Sequence, residues 1–117
     1  MRNFKIGVMT DSFRTTFVDA LDKAKELGAQ GVQMYVTEGD MFYKNLTDER
    51  IEQAKRELAD RGLVVSAICG DFGGHGFETE AENEWKIPSS KLVADLAVRF
   101  GAPVVTTHIG VVPEDNT

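Results

Sequence analysis

Glu26-Leu27-Gly28-Ala29-Gln30-Gly31-Val32-Gln33-Met34-Tyr35-Val36 reads as the end of a helix, a glycine exit and a buried strand in quick succession. The same device returns as Asp60-Arg61-Gly62-Leu63-Val64-Val65-Ser66-Ala67-Ile68-Cys69-Gly70, and again as Arg99-Phe100-Gly101-Ala102-Pro103-Val104-Val105-Thr106-Thr107-His108-Ile109-Gly110. Glycine at such a position takes the left-handed conformation that closes a helix, and short helix-to-strand loops are usual in parallel α/β proteins. Three copies of one exit predict repeated strand-helix units.

Working outward from these exits, Phe4 to Met9, Val32 to Val36, Val64 to Ile68 and Val104 to His108 are short apolar runs bounded by Gly, Asp or Thr. Near-continuous apolar character, without clean alternation, marks strands covered on both faces, as in parallel sheets. Parallel strands need crossovers, and the helices supply them. Phe17, Leu21, Ala24 and Leu27 recur at helical spacing, with Thr16 and Asp19 placed as an N-terminal cap. Thr47 opens a second helix with Asp48 and Glu49 at the positive end of its dipole, Leu46 and Ile51 at staple spacing, and Ile51, Ala54 and Leu58 as its buried stripe. The third helix is expected to start after Pro88, at Ser89 or Ser90, and to bury Leu92, Val93, Leu96, Ala97 and Phe100. Between Ile68 and Ser89 the segment GDFGGHGFETEAENEWKIP is glycine-rich and then acidic, and reads either as a functional strand-to-helix loop or as a briefly helical surface segment.

Four alternating units fit an open doubly wound sheet or part of a closed barrel. A dinucleotide fold would put a glycine-rich turn after its first strand, but here Met9, Thr10, Asp11, Ser12 and Phe13 stand there. A (β/α)8 barrel takes about 250 residues, and the chain has 117. The expectation is an α/β fold: the N-terminal half of a TIM barrel over residues 1–117, with four parallel strands and three main helices, truncated after the fourth strand or completed by a second chain.

Composition narrows the partners. The chain is 42% hydrophobic and 27% charged with a net charge of −6, which suits one soluble unit. Its Lys and Arg are scattered among acids, so binding to nucleic acid through phosphate neutralisation is not expected. No apolar run reaches the roughly 18 to 20 residues of a membrane helix, no leader pattern opens the chain, and Cys69 is the single cysteine. The expected location is cytoplasmic, with no membrane partner.

In a barrel, the C-terminal strand ends face the site. That rule gathers Asp11, Phe13, Glu38, Cys69, Asp71, Phe72 and His108 around one mouth. His108, where an apolar strand gives way to a loop, is the leading candidate, as a metal ligand, a substrate contact, or a structural His bonded to a carbonyl. His75, among glycines, reads as a surface residue. Asp11 is a substrate carboxylate or a turn residue, and Cys69 a site residue or a small buried hydrophobe. Phe13, Tyr35, Phe72 and Trp85 are candidates for an apolar wall or for core packing. Neither histidine has a second ligand at a spacing that makes a local zinc motif.

With the strand ends in view, KIGVMTDSF, ELGAQGVQMYV and VVTTHIGVVP make the chain resemble the sugar phosphate isomerase/epimerase family of xylose isomerase-like TIM barrels, related to the endonuclease IV type. The resemblance implies isomerisation or epimerisation of a small sugar, sugar phosphate or polyol by proton transfer beside a carbonyl through an enediolate. It implies a divalent metal, Mn2+, Mg2+, Co2+ or Zn2+, in the complete protein. The family's catalytic glutamates and main metal ligands sit on later strands, so none is in this chain and the half-barrel is expected to be inactive alone. Carried over by position, His108 matches a substrate-side His that is a metal ligand in the endonuclease branch, while Gln33 stands where many members have Glu. The substrate-binding set is then His108, Asp11, Phe13, Cys69 and Phe72, with His108 also the metal candidate. The alternatives are an endonuclease IV-like fragment and a non-catalytic half-barrel that forms a homo-oligomer; either a copy of itself or a missing C-terminal half is the expected partner.

Overall fold

A computed structural model describes residues 4–74, 76–111 and 114. The expectation placed on His75 therefore lies outside the described residues. The strands are β1 (Gly7–Met9), β2 (Gly31–Tyr35), β3 (Val64–Cys69) and β4 (Val105–Thr106), and the helices α1 (Phe17–Glu26), α2 (Asp48–Asp60) and α3 (Glu80–Phe100). Short 3-10 turns at Thr10–Phe13, Gly39–Met41 and Tyr43–Asn45 follow β1 and β2.

All pairings are parallel and the strand order is β1-β2-β3-β4. Each strand lies beside the next in sequence, which is the order of a barrel wall; a doubly wound sheet would reverse it at a switch point. Right-handed crossovers in one direction put the helices on one face. There Leu21 and Ala24 of α1, Val32 and Met34 of β2, Ile51 and Leu58 of α2, Ile68 of β3 and Val93 of α3 form one buried cluster. The other face, which in a closed barrel would be the interior, carries Met9, Val64, Ser66 and Val104 exposed. Gln33 and Thr106 meet across it, the Gln33 amide donating to the Thr106 hydroxyl at 3.1 Å.

Local chemistry explains the helix ends. Thr16 and Thr47 accept from the backbone N–H groups of Asp19 and Arg50 at 3.2 and 3.1 Å, as the caps require. Gly28, Gly62 and Gly101 all have positive φ, 81°, 65° and 70°.

Four expectations need correction. The third helix begins at Glu80, not after Pro88, and Pro88 lies inside it. Glu, Ala, Trp and Lys before the proline are adequate helix formers, and Ser90's hydroxyl donates to the Lys86 carbonyl at 2.8 Å within the disturbed turn. Leu92 is 54% exposed and buried Lys86 belongs to the inward side. Leu27 is 69% exposed, because α1 ends at Glu26 and Leu27 falls at its cap, turned off the stripe that Ala20 completes. The outer strands are shorter than their apolar runs: each has a neighbour on one side, and β4 ends at Thr106, leaving His108 in the loop beyond.

Candidate functional site

Because all four strands run the same way, their C-terminal ends share one edge of the sheet, and consecutive strand ends are neighbours there. β3 ends at Cys69 and β4 at Thr106, and two residues beyond each stand Asp71 and His108. Asp71 Oδ2 and His108 Nδ1 lie 2.6 Å apart. The other carboxylate oxygen, Oδ1, accepts the Gly73 N–H at 2.9 Å. That backbone bond is the first cause of an Asp71 carboxyl held below its ordinary value; burial opposes it, and the His108 bond and charge and the Lys86 charge add to it. An ionised carboxylate only accepts, so Nδ1 carries a proton and Nε2 is the ring nitrogen left outward. His108 is 80% exposed at its side chain against 23% for Asp71. The carboxylate is the sheltered anchor and the imidazole the presented group.

Tyr35, at the end of β2, points into the same mouth. Its phenol is raised above its ordinary value, first by the adjacent Cys69 sulfur, then by burial and by the hydrogen bond between the two, with Asp11 and Asp71 contributing. The phenol stays protonated and available as a donor. Cys69 is a buried free thiol, reached by Tyr35 at the floor of the mouth.

A cleft of about 410 Å³ opens beside the pair, lined among others by Tyr35, Glu38, Lys44, Asp71, Phe72 and Trp85. Its wall is a run of edge-to-face rings: Phe42 to Tyr43 at 5.2 Å, Tyr43 to Phe72 at 5.8 Å and Phe72 to Trp85 at 5.5 Å. A smaller cleft of about 170 Å³ includes Asp11, Arg14, Tyr35 and Asp40.

The candidate residues therefore divide. His108, Cys69, Phe72, Tyr35, Trp85 and Glu38 surround one mouth or its adjoining cleft. Asp11 sits at the rim, but its Oδ1 accepts from the Tyr35 N–H at 3.0 Å and the Thr10 hydroxyl at 3.1 Å, which ties the end of β1 to the end of β2. Phe13 is half-buried against the apolar core and lines neither cleft. Gln33 is spent on Thr106.

Sequence reading put Asp71 and His108 at one mouth without pairing them. They are 37 residues apart, so no local spacing joins them; the clue is that both stand two places past adjacent strands. It also passed over Lys86, which is only 2% exposed. No group of three or more His, Cys, Asp or Glu able to hold a metal ion occurs among the described residues. Of a metal site, the described residues offer one element, a His whose outward nitrogen is set by a carboxylate behind it, the second-layer arrangement typical of ligating histidines.

No curated protein matches the chain. Among solved structures, a xylose isomerase domain protein from Planctomyces limnophilus is 24% identical with a TM-score of 0.73, over 97% of this chain and 44% of that one. A probable 3-DHS dehydratase from Bacillus anthracis, described as involved in petrobactin synthesis, is 25% identical with a TM-score of 0.64, over 89% of this chain and 38% of that one. An AP endonuclease, family 2, from Brucella melitensis is 15% identical with a TM-score of 0.66, over 94% and 42%. The chain thus spans 38 to 44% of the length of these structures and corresponds to the N-terminal part of their barrels. With residues 21–117 matching that family's model, the chain belongs to the xylose isomerase-like TIM barrel family.

Proposed function

We propose that these 117 residues supply the N-terminal half of a barrel enzyme that isomerises or epimerises a small sugar, sugar phosphate or polyol, by moving a proton beside a carbonyl through an enediolate. The observation that carries this reading is the 2.6 Å contact between Asp71 and His108 at adjacent strand ends, in a chain that belongs to the xylose isomerase-like family. Asp71 holds the proton of His108 on Nδ1, so that Nε2 accepts a substrate hydroxyl proton or serves as one ligand of a divalent cation. Tyr35 donates from its protonated phenol to a second substrate oxygen. Phe72 and Trp85 close the apolar side and exclude water from that flank. A divalent cation, when bound, supplies polarisation of the substrate oxygens; its remaining ligands and the acid–base carboxylates come from the other half of the barrel.

The test is solvent deuterium incorporation at the carbon beside the carbonyl, followed by proton NMR across aldoses, ketoses and their phosphates, with the barrel completed. Exchange is expected with the completed barrel and none with these residues alone. Asp71→Asn should cut the rate about 10- to 100-fold, the usual effect of removing a carboxylate behind a functional histidine. Exchange that survives His108→Gln and Asp71→Asn undiminished would remove the pair from the reaction.

A further inference from the structure

The glycine-rich loop between β3 and α3 is held from below by a buried cation. Lys86, on the first half of α3, directs its ammonium at three oxygens: the Gly76 carbonyl at 2.7 Å, the Glu82 carboxylate at 2.9 Å and the Gly73 carbonyl at 3.1 Å. An ammonium has three donors, and all three are used. Asn83, one turn earlier, adds a bond from its amide to the Phe77 carbonyl at 2.9 Å. The carbonyls of residues 73, 76 and 77 thus converge on one face of α3, although Gly73, Gly74 and Gly76 all take left-handed backbone conformations.

Both partners of the mouth depend on this loop. Gly73, held through its carbonyl by Lys86, gives its N–H to Asp71 Oδ1. Gly76, held the same way, lies so close to the strand-end segment that a side-chain carbon there would fall 2.7 Å from the His108 carbonyl oxygen and 2.6 Å from the Gly110 nitrogen. The Phe77 N–H donates to the Ile109 carbonyl at 3.1 Å, and Glu78 accepts from the Val111 N–H. One side of the loop orients Asp71 and the other side seats the His108 backbone.

We infer that Lys86 is a positioning residue for the Asp71–His108 pair: its ammonium clamps the Gly73 and Gly76 carbonyls and so fixes the carboxylate and the imidazole in register from beneath the mouth. The inference rests on the reading of that pair as the functional site, and its test is independent of activity.

The experiment is long-range proton–nitrogen NMR of the His108 ring at alkaline pH, where the neutral tautomer is read from the two nitrogen shifts; His75→Gln assigns the signals. In the protein the Nδ1–H form is expected. Lys86→Met should shift the ring to a mixture of tautomers, while Glu82→Gln, which leaves both loop carbonyls on Lys86, should keep the Nδ1–H form. Leu58→Ala, a core truncation remote from the loop, should lower stability and leave the tautomer alone, which separates positioning from a general loss of stability. A folded Lys86→Met protein with an unchanged Nδ1–H signature overturns the inference. The unmodified protein gives a second reading that does not depend on the variant folding: the Lys86 ammonium protons should exchange slowly and couple to the Gly73 and Gly76 carbonyl carbons, and fast exchange without coupling overturns the inference as well. Failure of every sugar to exchange deuterium, with the tautomer response intact, would count against the proposed function and for the clamp.

Discussion

Asp71 has two oxygens and two duties: Oδ1 receives the loop through the Gly73 amide, and Oδ2 receives the His108 ring. Both bonds are stronger to the ionised form, and the carboxyl is held below its ordinary value of 3.8, chiefly by the amide. A carboxyl depressed in the folded state contributes stability that is present above its unfolded value and lost as pH falls through the folded one. In urea unfolding, the advantage of the protein over Asp71→Asn should therefore hold level from pH 7 down to about pH 5, then shrink below the ordinary carboxylate range. A difference unchanged into strong acid would mean that the pairing contributes nothing electrostatic. At this scale His108 was legible because an imidazole at the close of an apolar run is conspicuous. Its partner was not, since a contact across 37 residues is created by strand adjacency and leaves no spacing in the chain. Tyr35 read as a ring for an apolar wall or for core packing; the rise of its phenol comes from Cys69, Asp11 and Asp71 lying beside it in the fold.

At the scale of elements, the caps and exits were legible in detail, because Thr16, Thr47 and the glycines at 28, 62 and 101 act on their own neighbours. The start of α3 was not. Proline favours the first turn of a helix, yet here it sits in the interior, and the eight residues before it are helical because Lys86 and Asn83 bind the loop carbonyls from that turn. A proline inside a helix removes the bond to the carbonyl four residues back, at a cost of about 3 kcal/mol. Pro88 is exposed, so replacing it removes no core contact. Pro88→Ala should raise stability by about 1 to 3 kcal/mol, read from thermal or urea unfolding, with the helix still starting near Glu80. A less stable variant would show that the proline's bend is needed to seat α3 on the sheet.

For the molecule as a whole, the repeat of strand and helix predicted a parallel sheet, and the absence of a glycine turn after Phe4–Met9 favoured a barrel over a doubly wound sheet; the strand order agrees. No helix among the described residues is long and apolar enough to cross a membrane. The radius of gyration is 15.7 Å, against about 13 Å for a compact domain of this length, and the shortest dimension is 24 Å. Those are the proportions of a two-layer slab. Among the described residues, nothing covers the face that shows Val64 at 64% and Val104 at 48% exposure, with Met9 beside them, and β1 and β4 are both open edges. Such a surface calls for a cover, either the second half of a barrel or another copy of the chain. Sedimentation velocity of the 117-residue chain over about a hundredfold range of concentration tests this most directly: the weight-average mass should climb above that of one chain as concentration rises, whereas a single monomeric species throughout, with the amides of β1 and β4 protected from hydrogen exchange, would contradict the half-barrel.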